Sequence, residues 1–579
     1  IYGKHKVFFL NLFNACLTVG HFPKRWKQSK VILIPKAKSE GKPEENKYRP
    51  IAINSILGKI LEKLLKDRLY HFLYKNQLFQ KYQFGFTHNT STTKALQAII
   101  KRIEQAKLDK MNCLIISLDI KNAFNSIKPM IVVQKLKEYK CHDNLIKLAD
   151  NMLKERQIIY ENDNVRICKT LTTGSPQGSP LSPLYWNLTI SDLLRRKFPG
   201  DTHIQAFADD VVLIIKFKSR KDAEEKADKM IRIVEEWSKE KGIIFNKDKS
   251  NYMIVGKQYT SHQPQIRMGR EKIKLVQEMK ILGVIIDNKL TFLPHLKYLK
   301  EKVADVTYKL SRTIKDDKNT NRNTLHLIYK RGIERMITYA SPAWYTRKVI
   351  TIKKLKAIQR LPMIMISKSF KTTSNLSLNI LSKIPPVYLT IEKENEQYKI
   401  LNEGRNFTWN NTSYTENQIM CKYDHWQNHP SKKISIPYVE TEEHVDYRIY
   451  TDGSKKEQET GAAFVILDKE NKIQTQRKYK LPGYSSNYEA EVLAILKAIK
   501  HITSSQKQVK YQLFTDSLSA LQALKNPNNS NPMICEIKNI LDQAKEFDIK
   551  LTYVKGHSGI LGNTIADELA KEATKEGKE

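Results

Sequence analysis

Two groups of carboxylates stand out by residue type and spacing. In the first, Ser117-Leu118-Asp119-Ile120 puts an acid at the end of an apolar run, and ninety residues on Phe207-Ala208-Asp209-Asp210 sets two more side by side. The apolar stretches Ile204–Ala206 and Val211–Ile215 flank that pair, which fits a tight β-hairpin with the acids at its tip. Adjacent aspartates repel each other, and holding them beside apolar strands costs free energy unless a cation neutralises them. Hard oxygen ligands suit Mg²⁺. Two such ions on three carboxylates activate a hydroxyl and stabilise a leaving pyrophosphate. A lone Asp-Asp pair is also common in solvated turns, so its surroundings must decide.

The second group lies near the C-terminal end. Tyr450-Thr451-Asp452-Gly453-Ser454 is expected to end a strand, as is Leu513-Phe514-Thr515-Asp516-Ser517, and Asp567 to begin the last helix. A predicted helix over Tyr488–Ile502 carries both Glu489 and Glu491, which are two residues apart and do not share a face. Four acids so placed converge on two divalent ions for phosphodiester hydrolysis. His557, on the Gly-flanked loop Lys555-Gly556-His557-Ser558-Gly559, suits a proton shuttle.

Elements must position these acids. Residues 56–72 show the clearest helical period, with Ile56, Ile60, Leu64, Leu65 and Phe72 predicted on the buried face. Strands are predicted at Cys113–Leu118, Val211–Ile215 and Tyr252–Val255, with a helix over Lys221–Lys241. Leu290–Lys399 reads as mainly helical and basic, broken at Pro342 and Pro362; the Asn-rich 402–445 reads as a linker. Beyond it the order is three strands (Tyr447–Tyr450, Gly461–Leu467, Ile473–Leu481), a helix, a strand at Tyr511–Phe514, two helices within Leu518–Phe547, a strand at Lys550–Val554 and a final helix at Asn563–Glu576.

Charge draws the same boundary. The 579 residues carry a formal net charge of +38, which points to a polyanionic partner and favours nucleic acid over a membrane surface. Residues 446–579 hold 20 Lys+Arg and 18 Asp+Glu, whereas residues 1–445 hold 79 and 43. The front part is basic and the back part nearly neutral. The longest apolar runs span a strand, not a bilayer, so no membrane-spanning segment is expected. Six widely spaced cysteines without a CxxC pair fit a reducing compartment. No secretory signal opens the chain, and Ile1 reads as a cut end.

Between the two parts of the first carboxylate group lies Gly174-Ser175-Pro176-Gln177-Gly178-Ser179-Pro180-Leu181-Ser182-Pro183. With this stretch the sequence resembles reverse transcriptases of non-LTR (LINE-type) retrotransposons. The resemblance runs in order through Phe22-Pro23, Trp26, Val31–Lys36, Tyr48-Arg49-Pro50-Ile51, Gln83-Phe84-Gly85-Phe86, Leu118–Phe124, Gly174–Leu188, Phe207–Asp210, Gly242–Ser250, Leu282-Gly283-Val284 to Leu290-Thr291, Thr372-Thr373 and Ile384-Pro385-Pro386. It implies Asp119, Asp209 and Asp210 as metal ligands and Phe124 as the steric gate against a ribose 2′-hydroxyl. It further implies Gln177 as a contact to incoming nucleotide and template, Lys36 and Arg49 as triphosphate partners, and Lys249 as a proton donor to pyrophosphate. Asn125 stands where the family often has Asp, a position that is not a metal ligand. Thr87 stands where Arg is usual, which weakens the case for a template-phosphate contact at that position.

The back part resembles ribonuclease H, through its Thr451-Asp452-Gly453-Ser454, Thr515-Asp516-Ser517 and Lys555-Gly556-His557-Ser558-Gly559 pieces. Its register of an acid, two apolar residues and Ala selects Glu491 over Glu489. Together the resemblances imply an α+β chain: a right-hand polymerase with fingers and palm over 1–287 and a thumb or connection over 288–401, a linker over 402–445, and an α/β RNase H-like domain over 446–579. They imply RNA-directed DNA synthesis and RNA removal from the RNA–DNA hybrid, with two Mg²⁺ (or Mn²⁺) ions per site, dNTPs, an RNA template and a DNA primer, in a nuclear or cytoplasmic ribonucleoprotein. Target-primed synthesis at a chromosomal nick is implied too, the family's endonuclease usually lying upstream. An inactive nucleic-acid-binding copy is the competing non-enzyme reading, disfavoured by the intact acids. A group II intron maturase is disfavoured by the fused RNase H part.

Two weaker signals are read as bland. Cys421, His425 and His429 have metal-like spacing, but three ligands fall short of a structural zinc site, so they are taken as surface polar residues. The glycosylation-like triplets at Asn410-Asn411-Thr412-Ser413 carry no meaning without a secretory route.

Overall fold

The computed structural model describes residues 4–35, 48–162, 165–176, 178–256, 263–316, 321–409, 412–416, 420, 426, 429–430, 436–457, 459–504, 509–526, 529–544, 547–556 and 558–576. The chain divides into two compact units, Ile1–Gln397 and Tyr398–Glu579.

The first unit centres on a five-stranded sheet in the spatial order Lys274–Leu275, Phe245–Val255, Asn112–Ile120, Asp210–Phe217, Thr202–Phe207. Its central strands are apolar without alternation because both faces are covered. Cys113, Ile115, Val212, Ile214, Met253 and Val255 pack with Leu96, Ile99 and Ile103 of the helix Thr92–Leu108. Leu114, Ile116, Leu213 and Ile215 point the other way and are equally buried. The helix Arg220–Lys241 contacts the Asp210–Phe217 strand, and its N-terminus is capped by the Ser219 side chain, which accepts from the Asp222 amide. A second sheet runs Tyr48–Asn54, Gln28–Pro35, Arg156–Glu161, Arg166–Leu171.

The predicted strands and hairpin are present; two details differ. The helix Ile56–Lys75 buries Gly58, Leu61, Glu62, Leu65, Leu69, Tyr70 and Leu73, whereas Ile56 and Ile60 are exposed and Leu64 and Phe72 only half-buried. The expected face is rotated because two polar residues, Glu62 and Tyr70, find partners inside. In the helical region 290–399, Pro342 starts a short helix at its first turn, where its missing N–H costs nothing. Pro362, however, lies within the continuous helix Val349–Ser367. Leu355, Ile358, Met363 and Ile366 bury one face of that helix, which holds it together across the lost hydrogen bond.

The second unit is a five-stranded sheet ordered Ile473–Leu481, Glu459–Leu467, Tyr447–Lys456, Lys510–Thr515, Asp548–Tyr553. The first three strands are antiparallel, and the last two run parallel to the third. Helix Asn487–Ser504 contributes Val492, Ile495 and Ile499 to the core, and helix Leu561–Glu576 packs on the first three strands. The Tyr447–Lys456 strand continues four residues past Asp452, where a strand end was expected, because its antiparallel partner extends with it. Its parallel pairing does stop there, at Thr451 opposite Thr515. Tyr438, in the segment read as a linker, bridges Leu551 at this unit's sheet edge, and Ile436 and Val445 are buried. Among the described residues no helix is long and apolar enough to cross a membrane.

Candidate active sites

Antiparallel register brings the first acids together. Leu118 lies opposite Val211, so Asp119 at the next step is level with Asp210 and its side chain leaves the same face. Phe207 pairs with Asp210, which leaves Ala208 and Asp209 as a two-residue turn. Ala208 sits in the left-handed region at φ 55°, a strain of about 1 kcal/mol for a residue with a Cβ. The indole Nε1–H of Trp186, on the helix Ser182–Arg195, donates to the Ala208 carbonyl at 2.8 Å and steadies the turn. Asp210 is pushed up to about 6, by desolvation first and then by the charges of Asp209 and Asp119. Asp209 is raised as well, by burial and by Asp119. Such mutual repulsion at one sheet end fits a divalent cation.

The Gln83–Phe86 stretch backs this turn. Gln83 bridges Ala206, the Phe84 amide donates to the Ala206 carbonyl at 2.8 Å, and the Ala206 amide donates to Tyr82 at 2.9 Å. Gly85 is then so close to the turn that a Cβ on it would overlap the backbone nitrogen of Ala208. We expect Gly85→Ala to displace the turn and lower primer extension by about a hundredfold, since small misplacements at a reacting centre carry that cost. RNA cleavage assayed in the same molecules should be unchanged.

A bulge in the neighbouring strand sets Lys249. Between the pairs Ser117–Asn251 and Asp119–Asn246 the partner strand advances five residues against two. The excess carries Lys249 to 3.8 Å from Asp119 Oδ2, with its own side chain 70% exposed, and lets Ser250 Oγ accept from the Asp119 amide at 3.4 Å. Phe124 is half-buried, its ring 6.2 Å from Phe86 and 6.5 Å from Trp186. Its carbonyl accepts from the Ser175 amide at 2.8 Å, which ties it to the 174–180 loop. Lys36 and Gln177 lie outside the described residues, as do Cys421 and His425; for Arg49 only the backbone is described, in the strand Tyr48–Asn54.

In the second unit the parallel strands end together, so Asp452 and Asp516 emerge side by side beyond the Thr451–Thr515 pair. Helix Asn487–Ser504 adds Glu491, and the carboxylate oxygens of Asp452, Glu491 and Asp516 all lie within 4.8 Å of one another. Glu489 instead caps its own helix, accepting from the Ser486 amide at 2.7 Å, as its separate face requires. Asp567 lines the same cavity, of about 230 Å³, and is paired with Lys571 at 2.7 Å. Asp452 and Glu491 are both raised, by burial first and then by the neighbouring acids. Glu491 Oε2 and Asn563 Oδ1 are buried with no hydrogen-bond partner among the described residues, and both residues line the cavity. Three crowded acids and an orphaned carboxylate oxygen fit a divalent cation. His557 lies outside the described residues; Ser558 and Gly559 line the cavity. Sequence reading missed Asn563, since an Asn near a helix start signals only a cap.

Residues 34–286 match the family model described as reverse transcriptase (RNA-dependent DNA polymerase), and residues 444–575 match the RNase H model. The chain joins a reverse transcriptase domain to an RNase H domain. Its curated relatives are polyproteins and RNA-directed DNA polymerases of retrotransposable elements, to which it is similar over part of their length. It is 25% identical over 392 residues to the putative 115 kDa protein in type-1 retrotransposable element R1DM of Drosophila melanogaster, covering 67% of this chain and 38% of the relative. It is 26% identical over 346 residues to the Retrovirus-related Pol polyprotein from type-1 retrotransposable element R1 of Bradysia coprophila, covering 60% and 34%. With the RNA-directed DNA polymerase from mobile element jockey of D. melanogaster the identity is 26% over 359 residues, covering 60% and 38%. The chain thus spans little more than a third of the length of these relatives. Both families use divalent metals.

Proposed function

We propose that this chain copies RNA into DNA and removes the RNA from the resulting hybrid. The observation that carries the reading is the pair of separate carboxylate centres, each at a sheet end and each inside the domain whose chemistry needs it. In this reading residues 1–287 are fingers and palm, 288–401 the thumb, 402–445 the linker and 446–579 the ribonuclease. Asp119, Asp209 and Asp210 would hold two Mg²⁺ (or Mn²⁺) ions, as would Asp452, Glu491, Asp516 and Asp567. When bound, the ions lower the pKa of the attacking hydroxyl or water and neutralise charge on the leaving oxygen.

The chain's own residues do the rest. Phe124, held by Phe86 and Trp186, blocks the sugar 2′ position of an incoming dNTP. Lys36 and Arg49 take the triphosphate, where a guanidinium pairs in bidentate fashion. Gln177 orients nucleotide and template, and Lys249 hands a proton to the departing pyrophosphate. In the second unit His557 carries a proton to the product side. The basic front part grips primer and template through their phosphates. The setting is target-primed synthesis at a chromosomal nick, within a nuclear or cytoplasmic ribonucleoprotein.

The test is a DNA primer annealed to a labelled RNA template, with dNTPs and Mg²⁺. The primer should extend to the template end and the RNA should then shorten, both stopping when the metal is chelated. A folded chain that extends no primer on RNA would overturn the reading.

A further inference from the structure

The 174–180 loop, which in the proposed function carries the nucleotide-contacting Gln177, is fastened at both ends by buried charged side chains. At its start the Arg156 guanidinium donates to the carbonyls of Thr173 and Gly174 at 2.9 and 2.5 Å. At its end Ser179 Oγ donates to Glu62 Oε2 at 2.6 Å. Glu62 is 3% exposed and Arg156 5%. The other oxygen of Glu62 accepts from Asn54 Nδ2 at 3.4 Å, and Asn54 Oδ1 accepts from Ser29 Oγ at 2.8 Å. One carboxylate therefore joins its own helix to the loop and to the strand Tyr48–Asn54, and through Asn54 to Ser29 on the strand Gln28–Pro35. Gly178 shows how tightly the loop lies on the strand Tyr48–Asn54: at φ 119° it leaves room for a Cβ only 2.7 Å from the Ala52 carbonyl oxygen.

We propose that Glu62 is a positioning residue for polymerisation, its carboxylate fixing the nucleotide-contacting loop against the strand Tyr48–Asn54 through Ser179 and Asn54. The inference rests on the proposed reverse transcriptase activity. Glu62 touches no substrate and acts through the loop.

Its protonation state bears on the anchor. Both oxygens accept hydrogen bonds, so the ionised form makes both and the protonated form gives one up. Burial pushes Glu62 up to about 7, against the lowering effects of Ser179, Asn54, Lys59 and Arg156. Tyr185, fully buried nearby, stays neutral there, its own hydroxyl being pushed up by burial and by Glu62. The anchor is whole above about pH 7 and loosens as pH falls through that value.

The experiment measures dNTP KM and kcat of the full chain from about pH 6 to about pH 8. Variants are Glu62→Ala, Glu62→Gln, Ser179→Ala and the Glu62→Ala/Ser179→Ala double, with thermal melting to confirm folding. Glu62→Ala should raise KM about tenfold with kcat within about threefold, and Ser179→Ala should act in the same direction. The double should be no worse than Glu62→Ala alone, because both remove one contact. Glu62→Gln, which like the protonated acid keeps an acceptor for Ser179 but loses the one for Asn54, should hold KM at the wild type's low-pH value across the whole range, so that the wild-type change in KM at about pH 7 disappears. Additive single effects, an unchanged KM in folded Glu62→Ala, or a wild-type pH profile in Glu62→Gln would each overturn the inference. If Glu62→Ala does not fold, Ser179→Ala and Glu62→Gln still decide it. A wild-type chain that extends no primer overturns the proposed function instead.

Discussion

Asp209→Asn should lower primer extension by at least about a thousandfold while RNA cleavage by the same molecule stays within about twofold. The asparagine keeps the size of the side chain and the two-residue turn, but removes a charged oxygen where charge must be neutralised. A second readout separates lost chemistry from lost fold. Asp210 is pushed up to about 6 by desolvation and by Asp209 and Asp119. A carboxyl whose pKa is raised on folding stabilises the fold while protonated, and that contribution is lost as pH rises from the unfolded value of about 4 through the folded one. At neutral pH the ionised cluster therefore works against the metal-free fold, and removing one charge should raise its melting temperature. An inactive Asp209→Asn chain that melts lower than wild type would mean that the fold, not the chemistry, had been lost. Retained extension would remove Asp209 from the site.

Asp516→Asn should do the reverse. RNA cleavage in a hybrid should fall by about a thousandfold or more, with primer extension nearly intact. Asp516 is one of the three carboxylates whose oxygens lie within 4.8 Å of one another, so its loss takes a charge from the centre of the cluster, which Asp567 at the cavity wall does not replace. His557→Ala should slow cleavage less, because water replaces a proton shuttle in part and does not replace a ligand. Both activities are read from one hybrid substrate by following the DNA and RNA strands separately. If Asp516→Asn remained folded and also lost extension, the two centres would be functionally coupled.

Much of this arrangement was legible in the residue order. An acid ending an apolar run, and a paired acid between two such runs, specify a strand end and a hairpin tip, because apolar strands and polar turns obey local rules. The order of elements after residue 446 was readable for the same reason. What escaped depends on partners distant in sequence. The 56–75 helix turned a different face inward because Glu62 is satisfied by Ser179 and Asn54, and periodicity assigns every charged residue to the outside. Pro362 reads as a break, yet its helix persists because a core face holds it. Gly85 stood in plain view within Gln83–Phe86, but its closeness to Ala208 exists only once the edge strand is paired.

The step in charge between the two parts of the chain has a consequence for which RNA is destroyed. Residues 446–579 carry a net charge of only +2, so they have little long-range attraction for a polyanion; residues 1–445 carry +36. In the proposed function, a weakly attracting ribonuclease tethered to a strongly gripping polymerase works through local concentration, which a covalent connection raises to about the millimolar range for short tethers. Its own affinity for a hybrid can then stay low without loss of rate in cis. Hybrids elsewhere in the cell are met only at their bulk concentration and escape. On the proposed function, selectivity for the strand just copied thus needs no recognition of sequence: it follows from where the positive charge was placed along the chain.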